Sequence, residues 1–154
     1  MPAVRKNFKA DTAGAKIRNM ADIIRIKNVV LTRVMDRVLE ESRVECCGLL
    51  AGKDGVITRV FAATNAMDSP TEYAIAPKEL FQSMRKIRAA GLEFMGIYHS
   101  HPEGDNKPSA RDIDQAYYPD VAYFILSPRK GRAKPIRAFS IRDGKMAELD
   151  VKVE

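Results

Sequence analysis

The sequence of 154 residues has no tryptophan, only two cysteines, only two histidines and no long apolar run. Cys46 and Cys47 are adjacent, and neighbouring cysteines rarely form an unstrained bridge, so no disulfide framework is predicted. No stretch approaches the roughly 18 apolar residues that a membrane helix needs, and the N-terminus lacks the apolar segment of a secretory signal. We therefore expect a cytoplasmic protein with no membrane partner.

The composition is that of a globular domain, with 45% hydrophobic and 30% charged residues. The formal net charge of +6 is concentrated in residues 1–27, which hold seven basic and two acidic side chains. A basic segment with few apolar residues is more typical of a disordered extension than of a nucleic-acid-binding arm. We expect residues 1–22 to form such an extension and residues 23–154 to form one domain, without a nucleic-acid partner.

Hydrophobic periodicity and turn residues predict an alternation of helices and strands. The predicted elements are a helix from Asn28 to near Ser42, a hairpin at 46–52 and 56–64, a short strand at 73–76, a helix from Pro77 to Gly91, a buried strand at 94–101, a helix at 109–118, a strand at 121–127 and a closing hairpin at 136–153 that turns on Asp143 and Gly144. This order favours an α+β fold in which a mixed β-sheet is flanked by helices.

Both histidines lie in the segment "HSHPEGDNKPSARD", residues 99–112. Side chains alternate along a strand, so His99 and His101 project from the same side and can reach one ion. Asp112 is the candidate carboxylate ligand, because two prolines bracket a loop that can fold it back toward the histidines. Two histidines and one carboxylate leave zinc a fourth position for water.

Each of these residues also has a purely structural interpretation. Ser109 and Asp112 fit the N-terminal cap and acidic first turn of a helix, and a His-x-His pair alone fits surface histidines. Glu45, on sequence alone, is a solvated residue at the start of a strand. The combination favours a metal site, since both histidines of the chain are used in it.

The adjacent cysteines allow a second chemistry, a thiol nucleophile or a thiolate zinc ligand. Cys46 and Cys47 stand in an apolar strand followed by glycine, where cysteine behaves as a small buried hydrophobe. The histidine and aspartate set already supplies three ligands. We therefore expect the cysteines to be part of the core.

The pattern His-x-His-Pro, six residues, Ser-x-x-Asp, with a glutamate some fifty residues earlier, resembles the JAMM (MPN+/Mov34) zinc metalloprotease family over about residues 23–154. "ECCGLLAG" and "NAMDSPTEYAIAPKEL" are similar to its short prokaryotic members. The resemblance implies a three-layer fold like that of the cytidine deaminases. It also implies one zinc ion with a bound water on His99, His101 and Asp112, Glu45 as general base, and Ser109 as a stabiliser of the oxyanion.

The same resemblance implies a substrate. The short prokaryotic members hydrolyse peptide or isopeptide bonds after the C-terminal Gly-Gly of ubiquitin-like sulfur carriers, and we expect that activity here. Two alternatives stay open: a DNA-repair-associated relative of the family, and a metal-free scaffold domain of the same fold. A homodimer is also left open.

Overall fold

The computed structural model describes residues 23–154, and the predicted disorder of residues 1–22 lies outside them. The strands are β1 (Ile23–Ile26), β2 (Cys47–Lys53), β3 (Val56–Ala63), β4 (Glu93–Ser100), β5 (Ala122–Leu126), β6 (Ile136–Arg142) and β7 (Lys145–Val153), and the helices are α1 (Asn28–Glu40), α2 (Pro77–Ala89) and α3 (Ala110–Asp114). None of these three helices is long and apolar enough to cross a membrane.

The strands form one mixed sheet in the order β1-β3-β2-β4-β5-β6-β7. β4 runs parallel to β5, and β1 runs parallel to both β3 and β7. The remaining neighbours, β2 with β3 and β4, and β6 with β5 and β7, are antiparallel. β1 stands at one end of this order and also pairs with β7 at the other end, so the sheet closes on itself.

One helix covers each face of the sheet. Val30, Val34 and Val38 recur every fourth residue of α1, so they lie on one side of the helix and are buried. They pack in one apolar cluster, and α2 contributes to the other. Neighbouring strand residues, such as Leu49 and Leu50, fall into different clusters, as expected for opposite faces. The predicted α+β class with a mixed sheet and helices is confirmed.

Three predictions about single elements are wrong. β1, a strand of only four residues, was not predicted. Residues 73–76 are not a strand, because the backbone N–H of Ala74 donates to the Asn65 side chain, not to a neighbouring strand. Helix α3 ends at Asp114 and does not reach Tyr118, whose backbone N–H donates to the Tyr123 hydroxyl at 3.0 Å.

The start of β2 and the end of β4 lie side by side in the sheet. Cys47 pairs with His99 in the antiparallel register. The pairing continues beyond the strands: the N–H of Ser100 donates to the Cys46 carbonyl at 2.9 Å, and the N–H of Cys46 donates to Ser100 Oγ at 2.8 Å. This register brings Glu45, two residues before β2, next to His101, the residue after β4.

Candidate functional site

Four side chains from distant parts of the sequence converge at this end of the sheet. Glu45, His99, His101 and Asp112 each present one candidate ligand atom, and these atoms all lie within 4.8 Å of one another. His99 is at the end of β4, His101 follows that strand, Asp112 is in α3 and Glu45 precedes β2. The structure therefore brings together four of the five site residues predicted from the sequence, with the fifth, Ser109, at the N-cap of α3.

The His101 ring is oriented by the loop that follows it. Its Nδ1 lies 2.6 Å from the backbone carbonyl of Asp105. A carbonyl can only accept, so Nδ1 carries the proton and Nε2 is the nitrogen that faces the cluster. Burial alone would lower the pKa of His101, but hydrogen bonds to Asp112 and to the Asp105 carbonyl raise it.

His99 is buried, and its ring stacks on the side chain of Tyr73 with centroids 4.4 Å apart. Its Nε2 lies 3.1 Å from Nε2 of His101 and 3.2 Å from Oδ2 of Asp112. Its Nδ1 has no hydrogen-bond partner among residues 23–154. Burial lowers the pKa of His99, so the neutral imidazole, the form that binds metals, is favoured.

Asp112 serves the helix and the cluster with the same carboxylate. Its Oδ2 accepts from the backbone N–H of Ser109 at 2.9 Å, and its own N–H donates to Ser109 Oγ at 3.1 Å, which is a complete capping box. Oδ2 also lies 3.1 Å from Nε2 of His101. Burial would raise the pKa of Asp112, but the adjacent imidazoles of His101 and His99 outweigh it and hold this pKa well below its usual value. The helix-cap interpretation is correct, and it is compatible with a metal-binding role.

Glu45 is buried, with 3% of its surface exposed, so it is not the solvated strand-start residue that the sequence alone suggested. Its backbone N–H donates to the carbonyl of Ser69 at 2.8 Å, while its Oε1 has no hydrogen-bond partner in the described part of the chain. Burial raises the pKa of Glu45 to about 8. The carboxyl thus prefers its protonated form near neutral pH, which suits a group that exchanges protons.

The donor set fits a divalent cation. Two imidazole nitrogens and a carboxylate oxygen lie 3.1 to 3.2 Å apart with no other group between them. Two nitrogen lone pairs that face each other repel unless a proton or a cation lies between them. Buried Glu45 Oε1 adds an unsatisfied acceptor to the same cluster.

The loop of residues 65–74 supports the cluster, a role that was not predicted from the sequence. The Asn65 side chain donates to the carbonyl of Glu72 at 2.8 Å and accepts from the N–H of Met67 at 2.9 Å and of Ala74 at 3.2 Å. The loop supplies Tyr73, which stacks on His99, and the Ser69 carbonyl that holds the Glu45 backbone. The segment "NAMDSPTEY" showed only that a proline-containing loop was present.

A cleft gives access to the cluster. It is lined by Glu45, His101 and Ser109 together with Thr71 and Lys107 of the flanking loops. The Ser109 hydroxyl accepts from the Asp112 N–H, so its own hydrogen is free to be donated to another group.

Comparison with known proteins gives the same family as the sequence motif. Residues 27–142 match the family model described as prokaryotic homologues of the JAB domain. The chain is 32% identical to the desampylase of Haloferax volcanii over 131 residues, 83% of this chain and 91% of that protein. It is 35% identical to the CysO-cysteine peptidase of Mycobacterium tuberculosis over 111 residues, 71% of this chain and 76% of that protein.

Two solved structures show the same fold. A protein from Desulfitobacterium hafniense superposes with a TM-score of 0.71 at 27% identity, covering 85% of this chain and 92% of that one. A JAB1/MPN domain protein from Archaeoglobus fulgidus superposes with a TM-score of 0.53 at 17% identity, covering 83% and 95%. The resemblance to the JAMM family is thereby confirmed, and the chain belongs to the prokaryotic homologues of the JAB domain.

Proposed function

We propose that this chain is a zinc-dependent hydrolase that cleaves a peptide or isopeptide bond after the C-terminal Gly-Gly of a ubiquitin-like sulfur carrier. The observation that carries the proposal is the convergence of Glu45, His99, His101 and Asp112 within 4.8 Å of one another, beside a cleft that Glu45 and His101 line. Relatives with peptidase names support an enzyme over a metal-free scaffold. No feature of residues 23–154 favours the DNA-repair alternative.

His99, His101 and Asp112 are the residues that would hold the zinc ion. Tetrahedral ligands about 2.0 to 2.1 Å from zinc lie roughly 3.3 Å from one another, close to the 3.1 to 3.2 Å between these three ligand atoms. When bound, zinc acts as a Lewis acid toward a water molecule and toward the scissile carbonyl. The Asp105 carbonyl fixes the tautomer of His101, and the Tyr73 ring limits rotation of His99.

Glu45 is the general base in this proposal. Its carboxylate takes a proton from the attacking water, and the protonated carboxyl then gives a proton to the leaving nitrogen as the C–N bond breaks. The products are the Gly-Gly carboxylate and a free amine. Such transfer is typically worth 10²- to 10⁴-fold in rate.

Ser109 is the proposed oxyanion donor. Ser109 lines the cleft together with Glu45 and His101, and its position is fixed by the capping box of α3. A fixed hydroxyl can donate to the negative charge that develops on the carbonyl oxygen, which contributes a few kcal/mol in comparable sites.

The proposal also covers the location of the protein and the layer arrangement of its fold. A cytoplasmic location is supported by the two free cysteines, both buried. A three-layer arrangement like that of the cytidine deaminases is supported by the position of one helix on each face of the sheet.

The test is intact-mass analysis of a sulfur-carrier protein whose Gly-Gly tail is extended by cysteine or a short peptide. The carrier is incubated with zinc-loaded enzyme, with Glu45→Gln as the control. We expect the wild type to release the extension and Glu45→Gln to retain zinc without turnover, because the substitution removes the base and no ligand. Intact carrier after incubation with a sample confirmed to hold zinc would reject this substrate class.

A further inference from the structure

An apolar pocket opens directly beside the candidate metal centre. It lies between residues 73–75 on one side and α3 with the residues that follow it on the other. Its walls are largely apolar and aromatic, and they include Ile75, Leu80, Ile97, Tyr118 and Tyr123. Its cavity volume is about 80 Å³, well below the roughly 300 to 1,000 Å³ of pockets that take whole ligands, so it has room for a single side chain.

The pocket and the metal centre share two residues. Asp112, a proposed ligand, and Tyr73, which stacks on His99, both contribute to the pocket wall. The pocket therefore starts at the reacting centre and not at a remote surface.

The pocket also contains one unused polar group. Tyr118 is 8% exposed, and its hydroxyl has no hydrogen-bond partner in the described part of the chain. Its ring is held edge-on by Phe94 with centroids 5.4 Å apart. This hydroxyl is itself enclosed by protein, so Tyr118 serves the pocket as a fixed part of its wall.

We infer that this pocket binds the side chain of the residue that directly follows Gly-Gly in the substrate, and that it selects apolar side chains there. The inference rests on the proposed function. Glycines have no side chains, and the residue that precedes them is about 7 Å or more along the chain from the scissile carbonyl. The leaving residue carries its side chain next to the scissile nitrogen, so it is the nearest group that can enter a pocket beginning at Asp112.

The chemistry of the walls sets the expected preference. Leucine and methionine side chains bury apolar area against walls of this kind. A glycine leaves the pocket empty. An aspartate brings a negative charge to walls that are mostly apolar, where Arg111 is already paired with Glu72 at 3.7 Å and Asp112 carries a charge of the same sign. Differences of this size in an apolar pocket change kcat/KM by about 10- to 200-fold.

The test uses one sulfur-carrier protein extended after Gly-Gly by a single residue, which is leucine, methionine, glycine or aspartate. We expect kcat/KM of the zinc-loaded wild type to be at least about 10-fold higher for leucine and methionine than for glycine and aspartate. Ala74→Phe, which narrows the pocket from its half-buried rim, should abolish that ratio. Ala62→Phe is the matched control, since Ala62 is exposed on β3 outside the pocket and its substitution should preserve the ratio.

A second measurement does not depend on turnover. Leucine amide and glycine amide are titrated into isotopically labelled protein while the methyl resonances of Ile75, Leu80 and Ile97 are followed. We expect leucine amide to shift these resonances and glycine amide to leave them unchanged.

The two measurements separate failure of the pocket from failure of the proposed function. Equal cleavage of all four extensions would overturn the pocket assignment and leave the hydrolase standing. If no extension is cleaved, the proposed function fails for this substrate class, and the assignment to a leaving residue fails with it. Methyl resonances that do not respond to leucine amide would overturn the pocket as a binding site in either case.

Discussion

At the scale of single residues, burial gives Glu45 a pKa unlike that of a glutamate on the surface. Glu45 ionises with a pKa of about 8 because it is buried, whereas an ordinary glutamate ionises near 4.5. Between these pH values, the unfolded chain loses a proton that the folded, metal-free chain keeps. Glu45 therefore destabilises the metal-free fold progressively as the pH rises from about 4.5 to 8, on the order of a few kcal/mol.

This linkage predicts how metal-free Glu45→Gln should behave. Glutamine cannot ionise, so the melting temperature of the variant should exceed that of the wild type by a margin that grows from pH 4.5 to pH 8. Thermal melts in chelator at several pH values provide the measurement. Glu148→Gln is the control with the opposite sign, because a hydrogen bond from Arg137 lowers the pKa of Glu148. A margin independent of pH would contradict the raised pKa of Glu45.

The cysteines provide a second prediction at this scale. Cys46 and Cys47 are 1% and 0% exposed, and burial raises their pKa values to about 11 and about 12. A disulfide reagent such as Ellman's reagent at pH 8 should therefore modify the native chain at least roughly 100-fold more slowly than free cysteine. Both thiols should react at once in denaturant. Rapid labelling of the native protein would revive the thiol chemistry that the sequence left open.

At the scale of elements, the loop of residues 65–74 depends on one amide. Asn65→Ala removes the hydrogen bonds that close this loop, and at about 1 kcal/mol each we expect a loss of about 2 to 4 kcal/mol in the free energy of unfolding. Turnover should fall as well, because the loop holds the Glu45 backbone and the His99 ring. Urea titration and initial rates measure the two effects.

The matched control for this variant is Ser69→Ala in the same loop. It removes the Ser69 hydroxyl, which accepts from the Thr71 N–H at 3.1 Å, and leaves the bonds of Asn65 intact. A similar loss of stability and rate in both variants would show that the loop as a whole, and not Asn65, is responsible.

The elements also show what a sequence can predict. Helices α1 and α2 were predictable because their buried residues recur with helical spacing over thirteen residues each. The meeting of His99, His101 and Asp112 was predictable because these residues lie within one short segment. The supporting loop was not, because its structure comes from side-chain bonds of Asn65 to backbone groups up to nine residues away, which leave no periodic pattern. Short β1 was missed because four residues carry too little periodicity.

At the scale of the whole molecule, β1 closes the sheet by pairing with β3 and β7. Ile26 is fully buried in this seam, whereas Ile23 in the same strand is 42% exposed. Ile26→Ala should lower the free energy of unfolding by about 2 to 5 kcal/mol, and Ile23→Ala should change it by about 0.5 kcal/mol or less. Denaturant titration measures both. Equal effects would mean that the closure contributes little to stability.

Metal binding should stabilise the molecule as a unit, since the proposed ligands come from β4, the loop after it and α3 and meet only in the folded chain. Zinc at 100 times its dissociation constant adds about 2.7 kcal/mol, which raises the melting temperature of a domain of this size by roughly 5 to 10 °C. Binding to Cys46 and Cys47 in the unfolded chain makes the observed shift smaller.

Two variants test which residues bind the zinc that raises the melting temperature. His101→Ala should lose most of the zinc-induced rise in melting temperature, because it removes a ligand. Glu45→Gln should keep the rise, because the proposed base is not a ligand. Scanning calorimetry with and without zinc makes the comparison. A full rise in His101→Ala would place the ion elsewhere on the chain, and a lost rise in Glu45→Gln would make Glu45 a ligand and leave the reaction without its base.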